Sequence, residues 1–521
     1  MSAPRTLRTD VAIVGGGPVG MLLAAELAVR GVDVLVLERH AATRDEPRAG
    51  TLHARTLQGL RRRGWLGAAG PAAPPAGTVA RAPFHFAGQW TLDVAAPAVE
   101  GPPILNVPQA ALERRFEAAA REHGARVLRG HAVRAIDLRA DGGAPGARLA
   151  VDGPAGPVTV DARWLAGCDG ARSVVRDAAG IGGRTWPATV RALLGLVRVP
   201  AGALPAGWHR TPRGWTVNSP RAHGRNRLIT FEFDGPDPRR RAPLGLDELR
   251  ATAARIAGHD VPLDGLAFAG RFSDFSRLAD RLAAGPVVLA GDAAHVHFPV
   301  GGQGLNLGLQ DALALGWRLA AVLHGGAEPS ALLADFDAER RAAARAVIDL
   351  TRAQRSLMDP ADAAGPLRDG LAAMLRLGDV QRELGTLVSG QAVRAVRRAD
   401  DHAAVGGFLP DAAVDGPDGP ATIAGLLRRG RPLLVDWTGA PAAARADVLR
   451  PWSSRLTRAT GRAALRGVGP ALVLVRPDGY VAWAAAGARA DDAAVARALV
   501  RWLGPARRTA APPARVVAAA R

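Results

Sequence analysis

Residues 287 to 306 read VVLAGDAAHVHFPVGGQGLN. Asp292, His295 and His297 sit just past an apolar, strand-like run, and the backbone then thins to Gly301-Gly302-Gln303-Gly304. A carboxylate at that exit can accept hydrogen bonds from a polyol, and an imidazole can hold or move a proton. The glycines let something flat and polar-edged lie close to the main chain. Behind them Leu305, Leu309, Ala312, Leu313, Trp317 and Ala320 share one apolar face. This pattern predicts a helix whose first N–H groups are open to an anion.

A second glycine turn lies near the start, in DVAIVGGGPVGMLLAAELAVRGVDVLVLE over residues 10–38. Ala12-Ile13-Val14 reads as a buried parallel strand, and Gly15, Gly17 and Gly20 form G-x-G-x-x-G. A helix is expected to follow as far as a cap at Gly31, then a strand over Val32 to Leu37 ending on Glu38. In such a unit the first glycine makes the turn, the second admits a pyrophosphate and the third lets helix and strand pack closely. The helix N-terminus favours phosphate, and Glu38 can take a ribose diol. The motif does not separate FAD from NAD. A third stretch, WLAGCDGARSVVR at 164–176, runs from a short strand into an Asp169-Gly170 turn with Arg172, Ser173 and Arg176 close behind.

The totals narrow the choices. A chain of 521 residues suggests about three domains, each able to bury a core. No apolar run approaches the ~18 residues of a membrane span, and the segment after Met1, with Arg5, Arg8 and Asp10, has no hydrophobic signal region. A cytoplasmic protein with no membrane partner is expected. The net charge of +19 comes from arginine alone, scattered along the chain with no lysine, and reads as biased coding, so no nucleic-acid partner is expected. Cys168 is the only cysteine, which excludes an intrachain disulfide, a zinc knuckle and a dithiol centre; no metal site is expected.

Together the three motifs resemble the class A flavin-dependent aromatic hydroxylases, with the para-hydroxybenzoate hydroxylase fold, and most closely the bacterial aromatic polyketide hydroxylases. The matching stretches are GGGPVG with Glu38, GCDGARSVVR and AGDAAHVHFPVGGQGLNLGLQDALALGW. The likeness continues through Arg48 in PRAGTLHARTL and Gln109 in NVPQAALERRF. It implies non-covalent FAD, with Gly15, Gly17, Gly20, Glu38 and Arg39 on the ADP half. Arg48, Gln109 and Asp169 would lie along the pyrophosphate and flavin edge, and Asp292 near the pyrophosphate or ribityl chain. Pro299, Gly302, Gly304, Leu305 and Asn306 would border the isoalloxazine. On this reading His295 is a structural histidine packed under the loop, and His297 lies nearer the ring face.

The resemblance also implies an activity. NAD(P)H, with NADPH favoured, binds transiently and reduces the flavin. Molecular oxygen then forms a flavin C4a-hydroperoxide, which hydroxylates an aromatic polyketide-type small molecule in natural-product biosynthesis. His297, Pro299 and Arg55 are the candidate catalytic residues, with His53 beside them; none is singled out. The sole tyrosine, Tyr480, lies in the C-terminal region, so an active-site tyrosine that activates the phenol is not expected. A Baeyer–Villiger oxygenase on the same scaffold and a non-catalytic flavoprotein stay open; a flavin halogenase, which relies on lysine, is disfavoured.

The fold class expected is α/β, with a discontinuous Rossmann-like FAD-binding domain, an antiparallel-sheet substrate domain and a C-terminal thioredoxin-like domain without cysteines. The FAD-binding parts fall at 1–80, 100–180 and 275–400, the last including a helical region. The substrate domain takes 81–99 and 181–274. Leu228, Thr230 and Glu232 alternate with Ile229, Phe231 and Phe233, suggesting a sheet with one covered face. Trp90, Trp215, Phe231 and Phe298 are candidate liners of the substrate pocket. The thioredoxin-like domain takes 401–504, with a turn at Pro477-Asp478-Gly479. It carries Trp437-Thr438-Gly439-Ala440-Pro441-Ala442 where a redox-active relative has its dithiol, so it cannot exchange disulfides. A structural or oligomeric role is expected of it, which leaves a homodimer open, and the tail from 505 is expected to be disordered.

Overall fold

The computed structural model describes residues 5–46, 49–66, 77–139, 146–221, 224–439, 445–461, 471–486 and 491–506. It divides into two compact units, one of residues 1–316 with 336–393 and one of 317–335 with 394–521.

The larger unit is organised by a parallel sheet. Its neighbouring strands are, in order, Val287–Leu289, Gly156–Gly167, Arg5–Val14, Val34–Glu38 and Arg126–Arg129. Val11 to Val14 and Val34 to Leu37 are buried, which is why these strands read as continuous apolar runs rather than alternating ones. The first strand is longer than the expected Ala12–Val14, because its outer half from Arg5 is largely exposed and carries no apolar signal. The helix Pro18–Ala28 stops short of Gly31, with Val29 as its cap. Gly31 makes the turn beyond it, at φ 77°. An antiparallel pair, Ala132–Arg139 and Gly146–Gly153, extends the sheet from the 156–167 strand.

The second layer of this unit is a five-stranded antiparallel sheet in the order Gly207–Thr211, Gly214–Pro220, Asn226–Glu232, Arg191–Arg198, Asp264–Ser273. The hairpin Val79–Phe86/Trp90–Pro97 belongs to the same region. The expectation of one covered face is corrected here: both faces of the Asn226–Glu232 strand are buried. Ile229 and Phe231 pack with Trp215, Phe86, Leu92 and Phe298. Leu228 packs on the other side with Leu193, Val197, Leu249 and Ala253. The Leu246–Ala257 helix, whose Leu249, Ala253 and Ile256 are buried, lies on that second face; Thr230 and Glu232 are covered with it, so alternation in polarity does not mean alternation in exposure.

The helical region beyond 329 forms Pro329–Met358, Gly365–Met374 and Gly378–Val388, then turns irregular. The smaller unit has a six-stranded sheet in the order Gly419–Thr422, Ala413–Gly416, Thr457–Gly461, Leu433–Asp436, Leu472–Val475, Val481–Ala485. Leu433–Asp436 runs parallel to Thr457–Gly461 and the other pairs are antiparallel. Gly479, at φ 91°, closes the expected turn at 477–479. Residues 440–442 of the dithiol-equivalent stretch and the tail from 507 lie outside the described residues. Among the described residues no helix is long and apolar enough to cross a membrane, and no group of side chains could hold a metal ion.

Candidate cofactor and substrate site

Val14 is the cross-strand partner of both Leu37 and Gly167, and Gly167 is the partner of Leu289. Four strands therefore end in one row. Beyond it Gly15 N donates to Leu37 O (2.9 Å), Cys168 N to Val14 O (2.8 Å) and Ala290 N to Gly167 O (3.0 Å). The exits Gly15, Glu38, Asp169 and Asp292 line the carboxyl edge of the sheet, where α/β folds bind ligands.

The three glycines do different work. Gly15 has φ +105°, and a Cβ there would stand 2.3 Å from Cys168 O. A Cβ on Gly20 would stand 2.0 Å from Gly15 O, so only glycine lets the helix cross the turn. A Cβ on Gly17 would meet no protein atom within 4 Å. Open space thus lies before a helix that begins at Pro18 without a side-chain cap, an arrangement suited to a phosphate.

Glu38 reaches across this turn. Its carboxylate accepts from Gly16 N (2.6 Å) and His40 N (2.8 Å), while Arg39 beside it is exposed. Asp169 accepts from Val174 N and Val175 N (2.7 and 3.2 Å), at the start of the short Val174–Ala178 helix. Burial pushes its carboxyl above the usual range, against those hydrogen bonds. Arg176 ties this turn to the next one through Ala293 O (3.2 Å). Gln109 opens the Gln109–Glu122 helix, and its N–H donates to Ala49 O (3.2 Å), while Val107 N donates to Gly50 O (2.7 Å). Arg48, next along that segment, lies outside the described residues.

The 299–306 loop is held from below. Asn306 donates to Thr51 O (2.8 Å) and Gly302 O (2.9 Å) and accepts from His53 N (2.8 Å). His53 Nε2 lies 2.9 Å from Gly301 O. Gly301 and Gly302 take φ of 80° and 63°. A Cβ on Gly304 would stand 3.2 Å from His297 Nε2. Asp292, Pro299 and the Arg39 side of the rim are exposed; Gly302, Gly304 and Leu305 are half-buried. Behind the loop, fully buried Asp311 accepts from Gly291 N (3.0 Å), pairs with His295 Nε2 (2.6 Å) and binds Arg340 Nε (2.7 Å). Burial alone would raise the Asp311 carboxyl, but His295 and Arg340 hold it low. His295 is thus buried and paired beneath the loop. Asp311 and Arg340 went unnoticed in the sequence because each interrupts an apolar helix face without any local motif.

The three catalytic candidates have distinct surroundings. His297 places Nδ1 2.8 Å from Phe298 O, and burial lowers its pKa to about 4. Pro299 is exposed at the loop. The Arg55 guanidinium donates to Gln58 Oε1 (2.8 Å) and Gln391 O (3.0 Å), bracing the 389–391 turn.

Trp215, Phe231 and Phe298 come together in one cluster, with Phe231 and Phe298 ring centroids 5.7 Å apart. At 1%, 3% and 0% exposure they form a packed floor, and Trp215 Nε1 is spent on Met358 O (2.7 Å). Trp90 sits half-buried at the cluster's edge. The open rings are ones the sequence did not single out. His53 meets Phe84 at 4.8 Å, Phe84 meets His85 at 4.6 Å, His85 meets Trp208 at 4.6 Å and Trp208 meets Phe231 at 6.0 Å. Phe84, His85 and Trp208 are half-buried. The cradle at Gly17, the carboxylate at Glu38 and the glycine loop beside an aromatic wall fit a dinucleotide with a flat ring, as FAD has.

Residues 8–351 match the FAD binding domain family, and residues 402–506 match the aromatic-ring hydroxylase C-terminal family. The chain is similar to the 12-dehydrotetracycline 5-monooxygenase/anhydrotetracycline 6-monooxygenase of Streptomyces rimosus, 36% identical over 521 aligned residues that cover 96% of this chain and 99% of that protein. It is also similar to the dialkyldecalin synthase of Streptomyces rugosporus, 37% identical over 503 residues, 95% of this chain and 99% of that one. The solved structure of an anhydrotetracycline hydroxylase from Streptomyces rimosus superposes with a TM-score of 0.84 at 34% identity, covering 96% of this chain and 100% of that one.

Proposed function

The chain belongs to the FAD-binding aromatic-ring hydroxylases, and from that premise we propose that it oxygenates a flat, hydroxylated aromatic polyketide-type substrate in antibiotic biosynthesis. It is an FAD-dependent monooxygenase that uses NAD(P)H; NADPH is the donor we favour. Bound FAD supplies two-electron reduction by the nicotinamide and activation of molecular oxygen.

The protein's part is to hold, orient and keep dry. Gly15, Gly17 and Gly20 with the helix end at Pro18 would take the pyrophosphate, and Glu38 and Arg39 the adenosine side. Arg48, Gln109, Asp169 and Asp292 would lie along the phosphate, ribityl and ring edge. Pro299, Gly302, Gly304, Leu305 and Asn306 would border the flat ring, with the open N–H groups of the Gln303–Gly325 helix favouring negative charge at its edge. The packed floor of Trp215, Phe231 and Phe298 excludes water beneath the substrate. The half-buried rings Phe84, His85, Trp208 and Trp90 would meet the substrate's faces.

The observation that carries this reading is the single row of four strand exits set beside a glycine loop and an aromatic wall. Its test is direct. The purified protein should be yellow, and aromatic polyketides should stimulate NADPH oxidation and oxygen uptake with a product heavier by one oxygen atom. An NMR assignment of the carbon skeleton separates ring hydroxylation from Baeyer–Villiger insertion. A synthase-type reaction, suggested by the dialkyldecalin synthase likeness, would change the skeleton without oxygen uptake. A colourless protein that cannot be loaded with FAD would remove the oxygenase reading altogether.

Finer features of the architecture are part of the same proposal. The larger unit would comprise the substrate domain and the FAD-binding parts with the boundaries given from sequence, except that residues 317–335 and 394–400 of the 275–400 part fall in the smaller unit. The smaller unit would be thioredoxin-like: its mixed sheet pairs Leu433–Asp436 in parallel with Thr457–Gly461 and leads through a hairpin to the Asp492–Leu503 helix. With no cysteine in it, its role would be structural or oligomeric, in a cytoplasmic enzyme that forms a homodimer.

A further inference from the structure

We propose that His53 is a catalytic residue whose Nδ1 accepts the hydroxyl proton of the aromatic substrate. The proposal rests on the reading of the chain as an aromatic hydroxylase.

The tautomer follows from the hydrogen bond. Gly301 O can only accept, so His53 Nε2, 2.9 Å away, must carry the proton. The neutral ring then has its lone pair on Nδ1. That atom is buried and without a partner, in a residue only 1% exposed. A buried acceptor left unmatched forfeits its hydration with nothing in return, so a donor is called for at this point. Burial lowers the imidazole's pKa to about 4, and the Gly301 bond opposes it only in part; the ring is neutral at pH 7.

Position selects His53 over its neighbours. It touches the glycine loop through Gly301 O and stands edge-on to Phe84, the first ring of the aromatic wall. It joins the cofactor loop to the half-buried outer rings of the substrate wall. Arg55 is a donor only and cannot accept a proton. The open nitrogen of His297 faces the backbone at Gly304. His85 also has an unpartnered Nδ1, but it is half-buried and stacked farther out, between Phe84 and Trp208. Tyr480 belongs to the other unit.

A weak base suffices for the step. As a ring carbon ortho or para to the hydroxyl forms its C–O bond to the oxygen delivered, the O–H bond breaks. Its electron pair becomes the C=O π bond of a dienone, and the proton goes to Nδ1. Loss of the ring-carbon proton and return of a proton from Nδ1 to the carbonyl oxygen restore the phenol. Molecular oxygen is the oxidant, and the two electrons of NAD(P)H reduce its second atom to water; the established activity supplies both. The hydroxyl becomes strongly acidic only while the ring gives up electrons. The hydrogen bond to Nδ1 is therefore stronger in the transition state than in the ground state. The resulting imidazolium is held by Gly301 O.

Two variants separate the ring's two nitrogens. His53→Gln keeps a donor where Nε2 stands and removes the acceptor at Nδ1; His53→Asn keeps an acceptor near Nδ1 and removes the donor to the loop. Each FAD-loaded protein is titrated by calorimetry, without NADPH, with 2,6-dihydroxyanthraquinone and with its dimethyl ether, which has no hydroxyl to donate. Wild type should bind the diphenol about 10-fold or more tighter than the ether. His53→Gln should lose that preference with its flavin content intact. His53→Asn should keep the preference while holding flavin less tightly. A wild type that binds both alike, or a His53→Gln protein that still discriminates, overturns the role of His53 and leaves the hydroxylase reading standing. A wild type that binds neither compound overturns both.

Discussion

Along the carboxyl edge of the parallel sheet, Val14, Leu37, Gly167 and Leu289 stand in one row, and what projects beyond them is mostly main chain. The aromatic wall of the same unit takes its rings from separate segments: His53 from one short strand, Phe84 and His85 from a hairpin, Trp208 and Phe231 from the antiparallel sheet, Phe298 from the loop. The rim is made of local geometry that leaves no room for a side chain at Gly15 and Gly20. The wall is made of side chains whose only shared property is where the fold brings them. A rim of this kind holds a constant ligand, and a wall of this kind can be changed ring by ring to suit a variable one.

The largest expected effect tests the rim against itself. Gly20→Ala would place a Cβ 2.0 Å from the backbone oxygen of Gly15, where nothing flexible can yield. It should abolish flavin binding and lower the yield of folded protein. Gly17→Ala meets no protein atom within 4 Å and sits at an extended φ of −70°. The flavin-stripped Gly17→Ala protein should therefore melt within about 2 °C of wild type. Its FAD affinity should nonetheless fall by about 10-fold or more, because the space lost belongs to the phosphate. Equilibrium dialysis and thermal melts measure the two quantities. Equal flavin affinity for Gly17→Ala and wild type would mean that the open space is not a phosphate cradle.

This contrast also marks what could be read in advance. Gly15, Gly17, Gly20 and Glu38 fall within one strand–helix–strand stretch, and the 292–306 loop announces itself by its glycines, so the rim was legible. His295 lies buried against Asp311, a partner the sequence does not announce, since a buried acid in an apolar helix face has no local signature. The wall was legible only in part. Trp215, Phe231 and Phe298 stand out in the sequence as large aromatics and do converge, yet packing makes them a floor. Phe84, His85 and Trp208 keep open surface only because the hairpin and the antiparallel sheet meet there, which no spacing encodes. The second covered face of the 226–232 strand was hidden for a related reason: Thr230 and Glu232 look solvent-facing until the Leu246–Ala257 helix lies over them.

Behind the rim, Asp311 is the next place to apply force. It is fully buried and holds His295, Arg340 and Gly291 N together. Asp311→Asn should leave the Arg340 charge buried without its carboxylate and destabilise the protein by about 3–5 kcal/mol, measured by denaturant unfolding. A loss below about 1 kcal/mol, the range typical of exposed pairs, would mean that the loop is positioned by its backbone bonds alone.

The wall should reveal itself in acid. His53, His85 and His297 each have a pKa lowered from 6.5 to about 4, chiefly by burial. Well above pH 6.5 each ring is neutral in both folded and unfolded chains, so its protonation adds no pH dependence to stability. Between about 6.5 and about 4 the unfolded chain takes up protons that the folded one refuses, so stability falls as pH falls. For His53 the full drop comes to about 3 kcal/mol by pH 4. His53→Gln should flatten the pH dependence of unfolding by roughly that amount over the same interval. An unchanged slope would mean that water reaches the ring and that the wall is wet.

Cys168 gives the smallest effect and the finest reading of the rim. Its carbonyl oxygen lies where a Gly15 Cβ would have to go, and its own Cβ would stand 3.3 Å from one on Gly20. Burial pushes the thiol well above its ordinary pKa, with the charges of Asp169 and Asp311 adding to the shift. Since the thiolate is the reactive form, native Cys168 should react with a disulfide reagent at pH 8 about 100-fold more slowly than after denaturation, when one equivalent is released. Stability is untouched in this measurement; only the rate reports. Cys168 is only half-buried, so the labelling rate reports how strongly the carboxyl edge suppresses the thiolate. Labelling of the flavin-loaded protein as fast as that of the denatured chain would show that the rim does not suppress the thiolate, and would remove this support for a tightly built cofactor edge.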